Sequence, residues 1–146
     1  MANAYDVARY ICERRGPLSA MKLQKLVYYS QAWSLVWDDA ALFSNKIEAW
    51  ANGPVVRTLY DAHNGKFVVD ADTFPAGRSE NLSQDQMETI DAVLEAYGDR
   101  TAQWLSDQTH SEYPWIQARR GLGERDRGNA EISHASMAEY YGSIPA

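Results

Sequence analysis

Along the first third of the chain, apolar residues recur at steps of three and four, the period of a helix with one buried face. Val7, Ala8, Ile11 and Cys12 mark a first helix, and Asn3 followed three residues later by Asp6 can cap it. Gly16-Pro17 ends it, because glycine accepts the turn past a helix end and proline cannot continue the helix. A second helix starts after Ser19, with Leu23, Leu26, Val27, Ser30, Trp33, Ser34 and Trp37 on its inner stripe. From Asn45 to Ala51 the period drops to two. Ile47, Ala49 and Ala51 face one way and Lys46, Glu48 and Trp50 the other, which predicts a short strand. Asn52-Gly53 breaks it, and Pro54 is expected as the first residue of a third helix with Val56, Leu59, Tyr60 and His63 inside. Lys66 to Val69 reads as a second strand that pairs with the first.

Residues 71–82 hold Pro75, Gly77, Arg78, Ser79, Glu80 and Asn81 and little apolar content, so a mobile loop is expected there. Ser83-Gln84-Asp85-Gln86 is a capping box, stapled by Leu82 and Met87, and Ile90, Val93, Leu94 and Tyr97 continue its helix to Gly98. A short helix is expected over about residues 101–109, and another turn or two from Pro114-Trp115. A charged, glycine-rich loop follows over about residues 121–132, before Ser133 caps a last helix carrying Met137, Tyr140 and Tyr141. The sum is a mainly α chain: a compact single-domain helical bundle over residues 1–146 with a small two-stranded β-element.

Composition narrows the function more by exclusion than by assignment. A length of 146 residues is enough to bury a core without disulfides. The single cysteine, Cys12, lies on an apolar helix face and reads as a buried thiol. No apolar run approaches the roughly 18 residues of a membrane span, so a cytoplasmic protein is expected. The net charge of −6 argues against direct nucleic-acid binding and suits a basic protein partner better. The three histidines lack the spacing of metal ligands, and no phosphate-binding glycine motif is present, so no cofactor is expected. Asp107, His110, Ser111 and Glu112 form the one cluster with acid–base potential. Chain neighbours seldom assemble a catalytic site, and the expectation is a histidine that ends its helix by donating to the last carbonyls.

One stretch resists this reading. In MKLQKLVYYSQAWSL, Lys22, Lys25 and Tyr29 share a polar face of the second helix beside its apolar seam. Two explanations stay open. Lys22 or Lys25 pairs with Glu48 in an internal network, its stem covering aromatic rings, or the face meets a partner.

MKLQKLVYYSQAWSL, LFSNKIEAWANGPVVRTLYDAH and LSDQTHSEYPWIQAR stand in the order and spacing of the Panacea domain, the GepA-like or SocA-like family. The resemblance runs from YDVARYI to the closing ISHASMAEYYG. It implies a small, mostly helical domain of bacteria and prophages, with a place in phage defence. It also implies a non-enzymatic antitoxin of a two-gene, type II toxin–antitoxin pair, which neutralises a cognate toxin by direct protein contact. Toxins directed at translation or at tRNA are among the partners it implies. An adaptor that delivers the toxin to a protease is the alternative within the family; a small hydrolase using His110 is the alternative outside it. The added DNA-binding segment of some members is not expected within these 146 residues, and an oligomer is compatible with the resemblance. The candidate partner-binding residues are Lys22, Gln24, Lys25, Tyr28 and Tyr29 in the first motif. In the second they are Glu48, Trp50, Asn52 and Arg57, and in the third His110, Trp115 and Arg119.

Overall fold

The structure is a computed structural model that describes residues 2–145. In order, its elements are α1 (Ala4–Arg15), β1 (Leu18–Ser19), α2 (Ala20–Trp37), β2 (Ile47–Trp50), β3 (Gly53–Val56) and α3 (Arg57–His63). After them come β4 (Val68–Val69), α4 (Gln84–Tyr97), α5 (Ala102–His110), α6 (Tyr113–Ala118) and α7 (His134–Gly142). The helix starts follow from short polar side chains that accept free backbone N–H groups. Asn3 with Asp6 and Ser83 with Gln86 form reciprocal capping boxes. Ser19, Thr101 and Ser133 each accept from the amide three residues on. At the end of α1, Gly16 takes φ +72°, a conformation that costs glycine little.

Helix α2 is the axis of the molecule. Helices α1, α4, α5 and α7 and strand β3 all pack on it. Every residue from Leu23 to Ser34 is buried as a result, polar ones included. A helix covered all round is a core element, whereas the sequence stripe predicted a one-sided one. Trp37 departs from that stripe in the other direction. It is 45 % exposed and stacks on Trp33 with ring centroids 5.0 Å apart.

The β-structure corrects the sequence reading. Strand β2 pairs antiparallel with β3, so Pro54 lies in a strand opposite Ala49 and α3 begins only at Arg57. A two-stranded sheet has only edge strands, where the missing proline N–H leaves no ladder bond broken. All of β3 is buried, which hides the alternation that marks a strand in sequence. Val68–Val69 pairs with Leu18–Ser19 rather than with β2, giving a second small sheet. The outer edge of β2 is already occupied: Ala49 N donates to Ala130 O and Ile132 N donates to Ile47 O, both at 2.8 Å.

The segment read as a loop over residues 71–82 contains two 3-10 turns, Ala71–Thr73 and Ser79–Asn81. It lies against α1. Phe74 is fully buried, the fully buried Asp6 carboxylate accepts from Arg78 N at 2.7 Å, and Arg9 donates to Ala71 O and Phe74 O.

A hairpin held by side chains, and the surface it presents

The polar face of α2 lies inside the protein, and its groups work on backbone and on one another. Gln24 accepts from Val56 N at 2.8 Å, which leaves its amide N–H₂ to donate to Val56 O at 3.3 Å and to His63 Nε2 at 3.0 Å. His63 is thereby held neutral, with its ring proton on Nδ1. Burial holds its pKa below the ordinary value, and the nearby Lys25 charge adds to that. Gln31, two turns further along α2, repeats the device, accepting from Leu42 N at 2.7 Å and donating to Phe43 O at 2.8 Å. The two amides tether the chain on either side of β2.

Tyr29 and Tyr141 both donate to Glu112 Oε1, at 2.8 and 2.7 Å, and Gln108 donates to Oε2 at 3.1 Å. Tyr28 shares a hydrogen bond of 3.0 Å with the Tyr141 hydroxyl, and Tyr97 stacks on Tyr29 with centroids 4.2 Å apart. Burial holds the Glu112 carboxyl above its ordinary range, against the three donors that oppose it. The phenols of Tyr28, Tyr29 and Tyr141 are pushed up, first by burial. Glu112 was expected in an acid–base cluster and Tyr141 on the last helix, and none of Glu112, Gln31 and Tyr141 was among the partner-binding candidates. For Gln31 the trace in sequence is its place seven residues after Gln24 on the same helix.

Lys25 is the unusual member. It is 2 % exposed, and burial alone lowers its pKa to about 8, with no carboxylate to offset the loss of water. The pairing with Glu48, one of the two explanations left open, is not formed: Glu48 accepts instead from Trp50 Nε1 at 2.7 Å, and Lys22 and Lys25 enter none of the described ion pairs. The Lys25 stem lies across Gly53. A Cβ on that glycine, which has φ +121°, would stand 2.5 Å from Lys25 Cε.

The third motif closes on the hairpin tip. Ser106 donates to Asn52 O at 2.8 Å, His110 Nε2 to Ala51 O at 2.9 Å, Trp115 Nε1 to Trp50 O at 2.8 Å and Arg119 Nη1 to Ala49 O at 3.0 Å. Four successive carbonyls are thus captured, by pairs of residues one turn apart on α5 and at α6. The helical spacing of Ser106 and His110 was the available clue to the first of them. His110 therefore crosses to the hairpin and does not cap its own helix, and its ring meets Trp115 edge-on at 4.1 Å. Asp107 accepts from Gln103, Ser111 donates to Gln108 O and Glu112 sits under its tyrosines, so the cluster with acid–base potential is dispersed over four separate jobs. Arg119, 4 % exposed, also donates to Gly123 O and Asp126 O, which ties the following loop to the hairpin. Among the described residues, no three His, Cys, Asp or Glu side chains are placed to hold a metal ion.

Beside the captured tip opens a hollow of about 650 Å³, lined by Trp50, Ala51, Asn52, Arg57, Tyr60, Arg127, Gly128 and Asn129. The candidates divide accordingly. Gln24, Lys25, Tyr28, Tyr29, Trp115 and Arg119 are buried; Trp50, Asn52 and Arg57 face the hollow; Lys22, Glu48 and His110 are half-buried. Tyr60, expected on the inner face of its helix, and Arg127, which the sequence did not single out, join the hollow.

A family model described as "Antitoxin SocA-like, Panacea domain" matches residues 23–116. The match is narrower than the resemblance read from the motifs, since it begins on α2, ends within α6 and leaves out α1 and α7. No curated protein and no solved structure matches the chain.

Proposed function

The chain belongs to the SocA-like antitoxin family of the Panacea domain, and we propose that it is the antitoxin of a type II pair, silencing its toxin by direct protein contact in the cytoplasm. The observation that carries the contact mechanism is the fourfold capture of the carbonyls at Ala49–Asn52. A hairpin end otherwise exposes such groups to water and moves. Here each bond contributes about 0.5–1.5 kcal/mol, so the tip is stiff before any partner arrives. A preorganised surface loses little conformational entropy on binding, which is what a protein-binding module requires. A non-enzymatic role fits the same groups, because His110 spends its imidazole on a backbone carbonyl. No described helix is long and apolar enough to cross a membrane.

Co-expression with the product of the adjacent gene tests the proposal. Growth should be rescued, and the two proteins should elute together in gel filtration. Rescue with no detectable complex, in a strain lacking the cytoplasmic proteases, would count against contact. Rescue accompanied by loss of toxin protein would point to the adaptor mechanism instead.

A further inference from the structure

We infer that the hollow beside the hairpin tip recognises the toxin, and that it takes a short acidic segment, with carboxylates on Arg57 and Arg127 and apolar contact on Trp50 and Tyr60. This deepens the antitoxin reading above and rests on it. The chain carries 20 Asp and Glu against 14 Lys and Arg, yet no acidic residue lines this hollow and two arginines do. Local charge is thus opposite to overall charge. Arg57 uses only its Nε on Asp61, at 3.3 Å in an exposed pair, which leaves the two terminal nitrogens of its fork for a carboxylate. Its guanidinium is held 5.8 Å from the centre of the Trp50 ring, and Trp50 is anchored in turn by Glu48. Arg127 enters none of the described ion pairs.

The hairpin strands are largely closed to pairing with a partner. Residues 130–132 occupy β2, and Gln24 occupies Val56 on β3. Strand pairing on β2 or β3 is thus largely closed to a partner here, and the charged and aromatic side chains of the hollow are what it presents. A peptide suits the site better than a nucleic acid, which needs a run of cations along its backbone rather than two in one hollow of a chain with net charge −6. Two exposed arginines contribute little to the free protein. Once a partner excludes water from them, close charge pairs become strong determinants of affinity.

The test compares the wild type with Arg57→Glu/Arg127→Glu, using the purified product of the adjacent gene as the binding probe. Both positions are exposed, so the melting temperature should stay within about 2 °C of wild type. The wild type should bind, and the double variant should bind about 100-fold more weakly or worse and fail to rescue growth. A matching Asp or Glu→Arg change in the probe should restore binding to the double variant alone. The milder Arg57→Gln/Arg127→Gln variant should lose affinity by a smaller factor. A double reversal that binds within about threefold of wild type overturns the inference and leaves the antitoxin reading standing. So does competition for the hollow by a single-stranded oligonucleotide of about 12 nucleotides that the double variant no longer binds, which would reassign it to nucleic acid. No binding by the wild type overturns the antitoxin reading and this inference with it.

Discussion

Replacing Lys25 by methionine removes the ammonium and keeps most of the flexible stem that lies across Gly53. The structure sets the size of the effect. Lys25 is 2 % exposed, and burial takes its pKa from 10.5 to about 8. At about 1.4 kcal/mol for each pKa unit, that drop corresponds to roughly 3 kcal/mol of destabilisation while the group stays charged in both states. The sign follows from proton counts. Between pH 8 and 10.5 the unfolded chain holds a proton at this lysine that the folded chain has lost, so wild-type stability rises with pH across that window. Lys25→Met should therefore be more stable at neutral pH by up to about 3 kcal/mol, or about 6–12 °C in Tm for a domain of this size. The advantage should shrink above pH 8 and vanish near pH 10.5. Urea unfolding of both proteins at a series of pH values from 7 to 10.5 reads it directly, since titrations common to the two cancel in the difference. A difference that stays constant across the series, or a variant less stable than wild type at pH 7, would refute the reasoning: the ammonium would then be stabilised by a contact that compensates its burial.

Two further changes probe the groups that work on the backbone and on Glu112. Gln24→Leu leaves Val56 N and O buried without their amide partner, and should cost about 2–5 kcal/mol, with faster amide exchange at Val56 than in wild type. A loss under about 0.5 kcal/mol would show that the tether is dispensable. Tyr29→Phe removes one of the two hydroxyls on Glu112 Oε1 and should cost about 1.5–3 kcal/mol at pH 7. Because the folded-state pKa of Glu112 is raised, the folded protein takes up this proton before the unfolded chain does. The cost of burying the charge is then present at neutral pH and relieved as pH falls toward 4.5. The gap between wild type and Tyr29→Phe should narrow over the same range in thermal melts, and a gap independent of pH would disconnect the phenol from the carboxylate.

Local order was written in the sequence because its causes act over three or four residues. Asn3, Ser19, Ser83 and Ser133 cap the helices they were expected to cap, and the apolar period placed Leu23, Leu26, Val27 and Trp33 in the core. The three motifs were enough to indicate the family, and the mainly helical class followed from period alone. Which side chains and carbonyls the motif residues touch was decided by packing. A lysine and two tyrosines on a helix look the same to a sequence whether water or protein covers them. Only the arrival of β3, α4, α5 and α7 around α2 turned that face inward. Pro54 became a strand residue because Gln24 and the hairpin tip hold β3 in place, a contact made across 32 positions of chain. His110, Trp115 and Arg119, named in the sequence as partner-binding candidates, reach the carbonyls of Ala51, Trp50 and Ala49, and the hollow beside them is completed by Arg127, from a loop that Arg119 ties down. The physical reason is the same in each case. A polar side chain has a local partner only when the helix or turn supplies one; otherwise its partner is whatever tertiary packing brings within hydrogen-bond reach, and burial makes that partner obligatory.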